Sequence, residues 1–158
     1  MEIRTELEIA APAREVWGIL TDFARYQEWN PFITEIAGDA VVGQPLHVHL
    51  SLPEGRDHQL KPRLLRFDEN RELRWRGHLI FPGLFDGEHF FRLEEVARAR
   101  TRFIQGENFE GILVRFSGRT ITRAARGFVY MNEALKRRAE AESAHRTDRA
   151  VRELEPRA

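Results

Sequence analysis

Polar and apolar positions alternate strictly over residues 2–10, with Ile3, Thr5, Leu7 and Ile9 on one side and Glu2, Arg4, Glu6 and Glu8 on the other. A period of two predicts a half-buried strand. Pro12 suits the start of a helix, where its missing N–H costs nothing. Residues 13–20 then place Val16, Trp17 and Leu20 on one helical face. Thr21 or Asp22 can cap a second short helix over 23–29, and Pro31 stops it by pushing the preceding residue out of the helical region. Strand-like runs follow at 32–36, 46–52, 60–67, 72–79, 88–96 and 101–109, separated by turn signals such as Gly38, Gly43, Pro53 and Gly55. With no helix between them, these strands predict an antiparallel meander.

The period then changes. Over 116–144, Ile121, Ala124, Ala125, Phe128, Met131, Asn132 and Leu135 share one stripe of a helix. No other element matches its length, so it must lie across the sheet. The order is β-α-α-β6-α: an α+β, helix-grip arrangement in which a curved antiparallel seven-stranded sheet wraps around a long C-terminal helix. A sheet and a helix of unequal curvature leave a gap, and that gap is a natural pocket. Residues 1–144 form one ligand-binding domain in this reading. Residues 145–158 are charged and poor in apolar side chains, which predicts a disordered tail.

Composition narrows the function classes. Lys plus Arg is 25 and Asp plus Glu is 25, so the chain is formally neutral. A nucleic-acid binder needs a basic excess, so no nucleic-acid partner is expected. There is no cysteine, which removes disulfides, thiolate nucleophiles and cysteine metal sites. The first residues lack the apolar core of a signal peptide, and no run is long enough to span a membrane. A cytoplasmic protein without stable membrane insertion is therefore expected. Hydrolase, kinase and nucleotide-binding motifs are absent, and no cofactor is implied.

Several segments carry a resemblance. Ala11-Pro12-Ala13-Arg14-Glu15-Val16-Trp17, Leu20-Thr21-Asp22-Phe23 and Tyr26-Gln27-Glu28-Trp29-Asn30-Pro31-Phe32 resemble the opening of START-like (SRPBCC) proteins, and their polyketide cyclase/dehydrase branch most of all. Arg71-Glu72-Leu73-Arg74-Trp75, the stretch from Phe85 to Glu94, the stretch from Thr101 to Glu107, and Met131-Asn132-Glu133-Ala134-Leu135-Lys136 extend it over residues 1–142. The resemblance implies a helix-grip fold. It does not imply one activity, because lipid carriers, cyclases and stress regulators share that fold.

Strand phase selects the candidate site. Leu73, Trp75 and Gly77 share a face, as do His89, Phe91 and Leu93, and Thr101, Phe103, Gln105 and Glu107. An inward apolar phase carries His89, Gln105 and Glu107 inward with it, a few polar groups in an apolar pocket. His89 reads either as a satisfied histidine on the inner face or as a ligand contact. Glu107 reads as paired with His89 or an arginine, as a ligand contact, or as exposed at the strand end. Phe128, Met131 and Asn132 are the helix contribution, although Asn132 also suits a bond to backbone at the helix seam. Trp29, Phe32, Trp75, Phe81 and Phe85 are candidates to line or gate the pocket, and the apolar segment 81–85 reads as a lid or a partner surface. His47 and His49 are two apart on a solvent-facing side with no third ligand, so no metal site is expected. Arg115, Arg119, Arg123 and Arg126 read as a solvated helix face or a basic stripe.

Three functions fit. The first is binding or carriage of a small hydrophobic or aromatic molecule. The second is a polyketide cyclase or dehydratase using His89 and Glu107 as its acid–base pair. The third is a protein-interaction module. A homodimer is compatible with each.

Overall fold

In the computed structural model, residues 1–78 and 82–154 are described. The elements run β1 (Glu2–Ile9), α1 (Ala13–Thr21), a single 3-10 turn (Phe23–Arg25), α2 (Tyr26–Trp29), β2 (Ile33–Ala37), β3 (His47–Ser51), β4 (Asp57–Leu60), β5 (Arg63–Asp68), β6 (Glu72–His78), β7 (Asp86–Ala97), β8 (Arg100–Glu110), a second 3-10 turn (Val114–Phe116) and α3 (Gly118–Leu154). This is the α+β helix-grip architecture.

The strand count departs from the expected seven. Eight strands form two antiparallel sheets, ordered β1-β8-β7-β6-β5 and β2-β3-β4. The additional strand is β4, which lies almost wholly before the run expected over 60–67; that run forms β5, and Pro62, with no N–H to donate, separates the two. The sheets remain joined beside that break. Pro45 bridges Arg63, and Leu46 N–H donates to the Pro62 carbonyl at 2.8 Å. The long hairpin β7–β8 pairs Leu93 with Phe103, Phe91 with Gln105 and His89 with Glu107. Its tight end holds Ala99 at φ 56°. The expected inward phase of β6, β7 and β8 therefore holds for Leu73, Trp75, His89, Phe91, Leu93, Phe103 and Gln105, all buried.

The core lies between the five-stranded sheet and α3. Phe91, Phe103, Phe128, Met131 and Leu135 are fully buried in it. Gly127 lets the helix close on Phe32, since a β-carbon there would overlap the ring. Asn132 Nδ2 donates to Thr5 Oγ1 at 2.9 Å and ties α3 to β1.

Two helix boundaries differ from expectation. The second short helix begins as a 3-10 turn. More importantly, α3 does not end near Ala144 but continues to Leu154, so the segment expected to be a disordered tail is helical as far as that residue. Ion pairs one turn apart, Arg138–Glu142, Arg146–Glu142 and Arg149–Glu153, accompany the extension. Such pairs support a helix with no apolar face to bury.

Candidate functional site

The helix-grip gap holds a cavity of about 70 Å³. The five-stranded sheet contributes Trp75, Gly77, His78, Gly87, Glu107 and Phe109. β3, β4 and the break after them contribute Leu50, Leu52, His58, Leu60 and Pro62, while α3 contributes Thr120, Ile121 and Ala124. Phe32 and Phe85 complete it, so the cavity lies across the junction of the two sheets.

Among these residues Glu107 is the sole carboxylate. Its side chain is 18% exposed, and Gly87 makes room for it, because a β-carbon at 87 would overlap the carboxylate. Behind Glu107 stands His89, which is 4% exposed. The Glu107 Oε2 to His89 Nδ1 distance is 3.6 Å, too long for a hydrogen bond. On the other side, Gln105 Nε2 donates to His89 Nε2 at 3.1 Å and lies 3.5 Å from Met131 Sδ. With Nε2 accepting, the ring proton belongs on Nδ1, facing Glu107. The imidazole stacks on Trp75 with centroids 5.3 Å apart and meets Phe91 and Phe128 at 4.6 and 4.9 Å. The result is one carboxylate on an apolar wall, backed by an imidazole held in an aromatic box.

The expected site residues separate into groups. Phe32, Trp75, Phe85 and Glu107 come together around the cavity. His89 and Gln105 form the layer directly behind the wall. Phe91, Phe103, Phe128 and Met131 pack in the core without lining the cavity. Asn132 is engaged at the seam, with the Thr5 hydroxyl rather than with backbone. Trp29 corrects an expectation: it lines a different groove, with Arg14, Glu15, Arg25 and Arg138, where α1, α2 and α3 meet. Phe81 lies outside the described residues. His49 is bonded to Thr34 Oγ1 at 2.9 Å, and no cluster of three metal-ligating side chains occurs among the described residues.

Sequence pattern missed the wall supplied by β3, β4 and Pro62. The alternation of Leu50 and Leu52 signals an inner face, but nothing local says that this face meets the sheet at a cavity. His58 sits in the polar run Arg56-Asp57-His58-Gln59 and carries no periodic signal.

The profile of the family described as polyketide cyclase/dehydrase and lipid transport matches residues 1–141. The chain belongs to this family. Among curated proteins, no sequence matches. Solved structures of the same fold include the Zhui aromatase/cyclase from Streptomyces sp. R1128, at TM-score 0.73 and 18% identity over 89% of this chain and 93% of that one. Another is a point mutant of norcoclaurine synthase from Thalictrum flavum bound to a transition-state analogue, at TM-score 0.71 and 17% identity over 90% of this chain and 95% of that one. For this polyketide cyclase/dehydrase and lipid transport family member, identities this low extend the likeness to the fold alone. No described helix is long and apolar enough to cross a membrane.

Proposed function

We propose that this protein binds and carries a small hydrophobic molecule, planar over part of its length and bearing one hydrogen-bond donor. The observation that carries the reading is the cavity wall: aromatic and aliphatic side chains surround a single carboxylate whose nearest basic group is 3.6 Å away. Apolar lining with a few placed polar groups is the usual layout of a small-molecule site. A cavity of about 70 Å³ is well short of the roughly 300–1,000 Å³ of drug-sized sites. Entry of a ligand larger than a single ring therefore requires the wall to part.

The test is native mass spectrometry of the purified protein with extraction of retained compounds, followed by titration of an aromatic probe monitored by tryptophan fluorescence. Saturable uptake that weakens in Glu107→Gln and Trp75→Ala is expected. A protein that takes up neither retained compounds nor probe would overturn the reading.

The Glu107–His89 contact favours a second reading, a cyclase or dehydratase acting on a polyketide-like substrate. Glu107, which faces the cavity, would take the substrate proton, and the Nδ1–H of His89 would steady the carboxylate from behind. In that case Glu107→Gln lowers turnover by about 10²–10⁴-fold, the usual share of general acid–base catalysis, while binding falls far less.

A further inference from the structure

One end of the molecule combines exposed apolar tips with unpaired positive charge. Ile112 and Phe116, between β8 and α3, are 66% and 72% exposed. They stand on a braced loop. Leu113 N–H donates to the Leu84 carbonyl at 3.0 Å, and Ile112 N–H to the Gly83 carbonyl at 3.4 Å. Four residues beyond Phe116, Thr120 lines the cavity, and half-buried Phe85 lines it from the braced partner loop. The tips do not line the cavity but stand next to the part of its wall that Phe85 and Thr120 form.

The charges around them are one-sided. Arg115 lies over the Phe116 ring at 4.7 Å. Arg115, Arg119 and, one turn further along α3, Arg123 have no ion-pair partner among the described residues. The acids on this side are already engaged: Glu54 with Arg126, and Asp86 and Glu110 with Arg76. The first turn of α3 holds no acidic residue, although the positive end of a helix dipole favours one. Arg115 and Arg119 flank that end instead. In isolation this accumulation is unfavourable, and an anionic surface would relieve it. The whole chain is neutral, so the excess is local.

We propose that this end of the molecule docks reversibly on an anionic lipid bilayer, with Phe116 and Ile112 entering the interface and the arginines meeting lipid phosphates. Protruding apolar side chains flanked by arginines are the pattern of interfacial binding, and two braced tips offer a protein partner little flat area to cover. The docking goes beyond the ligand-binding reading and does not require it. If both hold, an apolar ligand passes between bilayer and cavity with little exposure to water.

The test is co-flotation of the full chain with vesicles of phosphatidylcholine containing phosphatidylglycerol, with pure phosphatidylcholine vesicles as the reference. Binding to the first and weak binding to the second is expected. Each basic residue near an anionic surface contributes about 1 kcal/mol, or about five-fold in partitioning. Arg115→Glu with Arg119→Glu should therefore lower partitioning at least about 25-fold. Phe116→Ser should lower it without any change of charge. Arg146→Glu with Arg149→Glu, at the far end of α3, makes the same change in net charge and should leave binding intact. Absence of binding to the anionic vesicles would overturn the proposal, as would an equal loss in the far-end variant. Probe uptake measured without vesicles tests the cavity separately, so either reading can fail alone.

Discussion

At the scale of single residues, two buried groups differ in what they do. Phe128 is fully buried between Phe32, with centroids 5.5 Å apart, and His89. It does not line the cavity, so its ring is packing. Phe128→Ala should cost about 3–5 kcal/mol in denaturant unfolding, the usual loss for a buried phenylalanine. A loss under about 1 kcal/mol would place the ring against open space instead. Glu72, with its side chain 7% exposed, sits on the outer face of the sheet among Arg66, Arg74 and Arg92. Burial alone would raise its carboxyl. The hydrogen bond and charge of Arg74, joined by Arg92, outweigh burial and hold it below the ordinary value of 4.5. A carboxylate lowered in the folded state stabilises the fold above its unfolded value, and that contribution disappears as pH falls through the folded value. The wild-type urea midpoint should therefore drop below about pH 4.5. Glu72→Gln should be less stable at neutral pH, and its midpoint should fall less steeply in acid. Parallel acid profiles would remove Glu72 from the account.

At the scale of elements, glycines and a proline set what strand pattern cannot. Gly87 on β7 leaves the space that the Glu107 carboxylate of β8 occupies. Its backbone is not among the positive-φ positions, so alanine fits the strand itself. Gly87→Ala should leave the thermal midpoint within a few degrees of wild type and weaken probe binding, because it displaces the carboxylate on the cavity wall. Unchanged affinity would show that Glu107 does not meet the ligand. The far end of α3 offers the opposite case. From Ala144 to Glu153 every described residue is exposed. Truncation after Ala144 should lower helical circular dichroism and alter stability by less than about 0.5 kcal/mol, as for surface changes away from the core. A larger loss would mean that these turns support the domain.

At the scale of the whole molecule, the cavity lies where two sheets and one helix meet, and its small volume makes opening part of binding. The segment 82–85 carries Phe85, which rests on Phe109 with centroids 5.4 Å apart, at the cavity wall. Amide hydrogen exchange in 82–85 should slow when the cavity is filled with a saturating aromatic probe. Unchanged protection at saturation would locate the opening elsewhere, with the joint at Pro62 as the alternative to measure in the same experiment.

The periodicities of β1, β6, β7, β8 and α3 were legible in sequence because a period of two or 3.6 is a local property of the chain. They were enough to place His89, Phe91, Phe103, Gln105 and Phe128 inward and to imply the helix-grip order. Motif resemblance to the START-like superfamily pointed to the same fold. Tertiary structure decided which inward residues meet the cavity and which only pack. Phe128 and Met131 share the helical stripe with Ile121 and Ala124, yet only the latter two reach the cavity, because the gap opens toward the start of α3 and closes where Gly127 admits Phe32. Tertiary structure also moved Trp29 to another groove, set Glu107 in front of His89, and brought β3 and β4 across the joint at Pro62. Each of these depends on contacts between residues distant in the chain, and a local repeat carries no information about the distance between two elements.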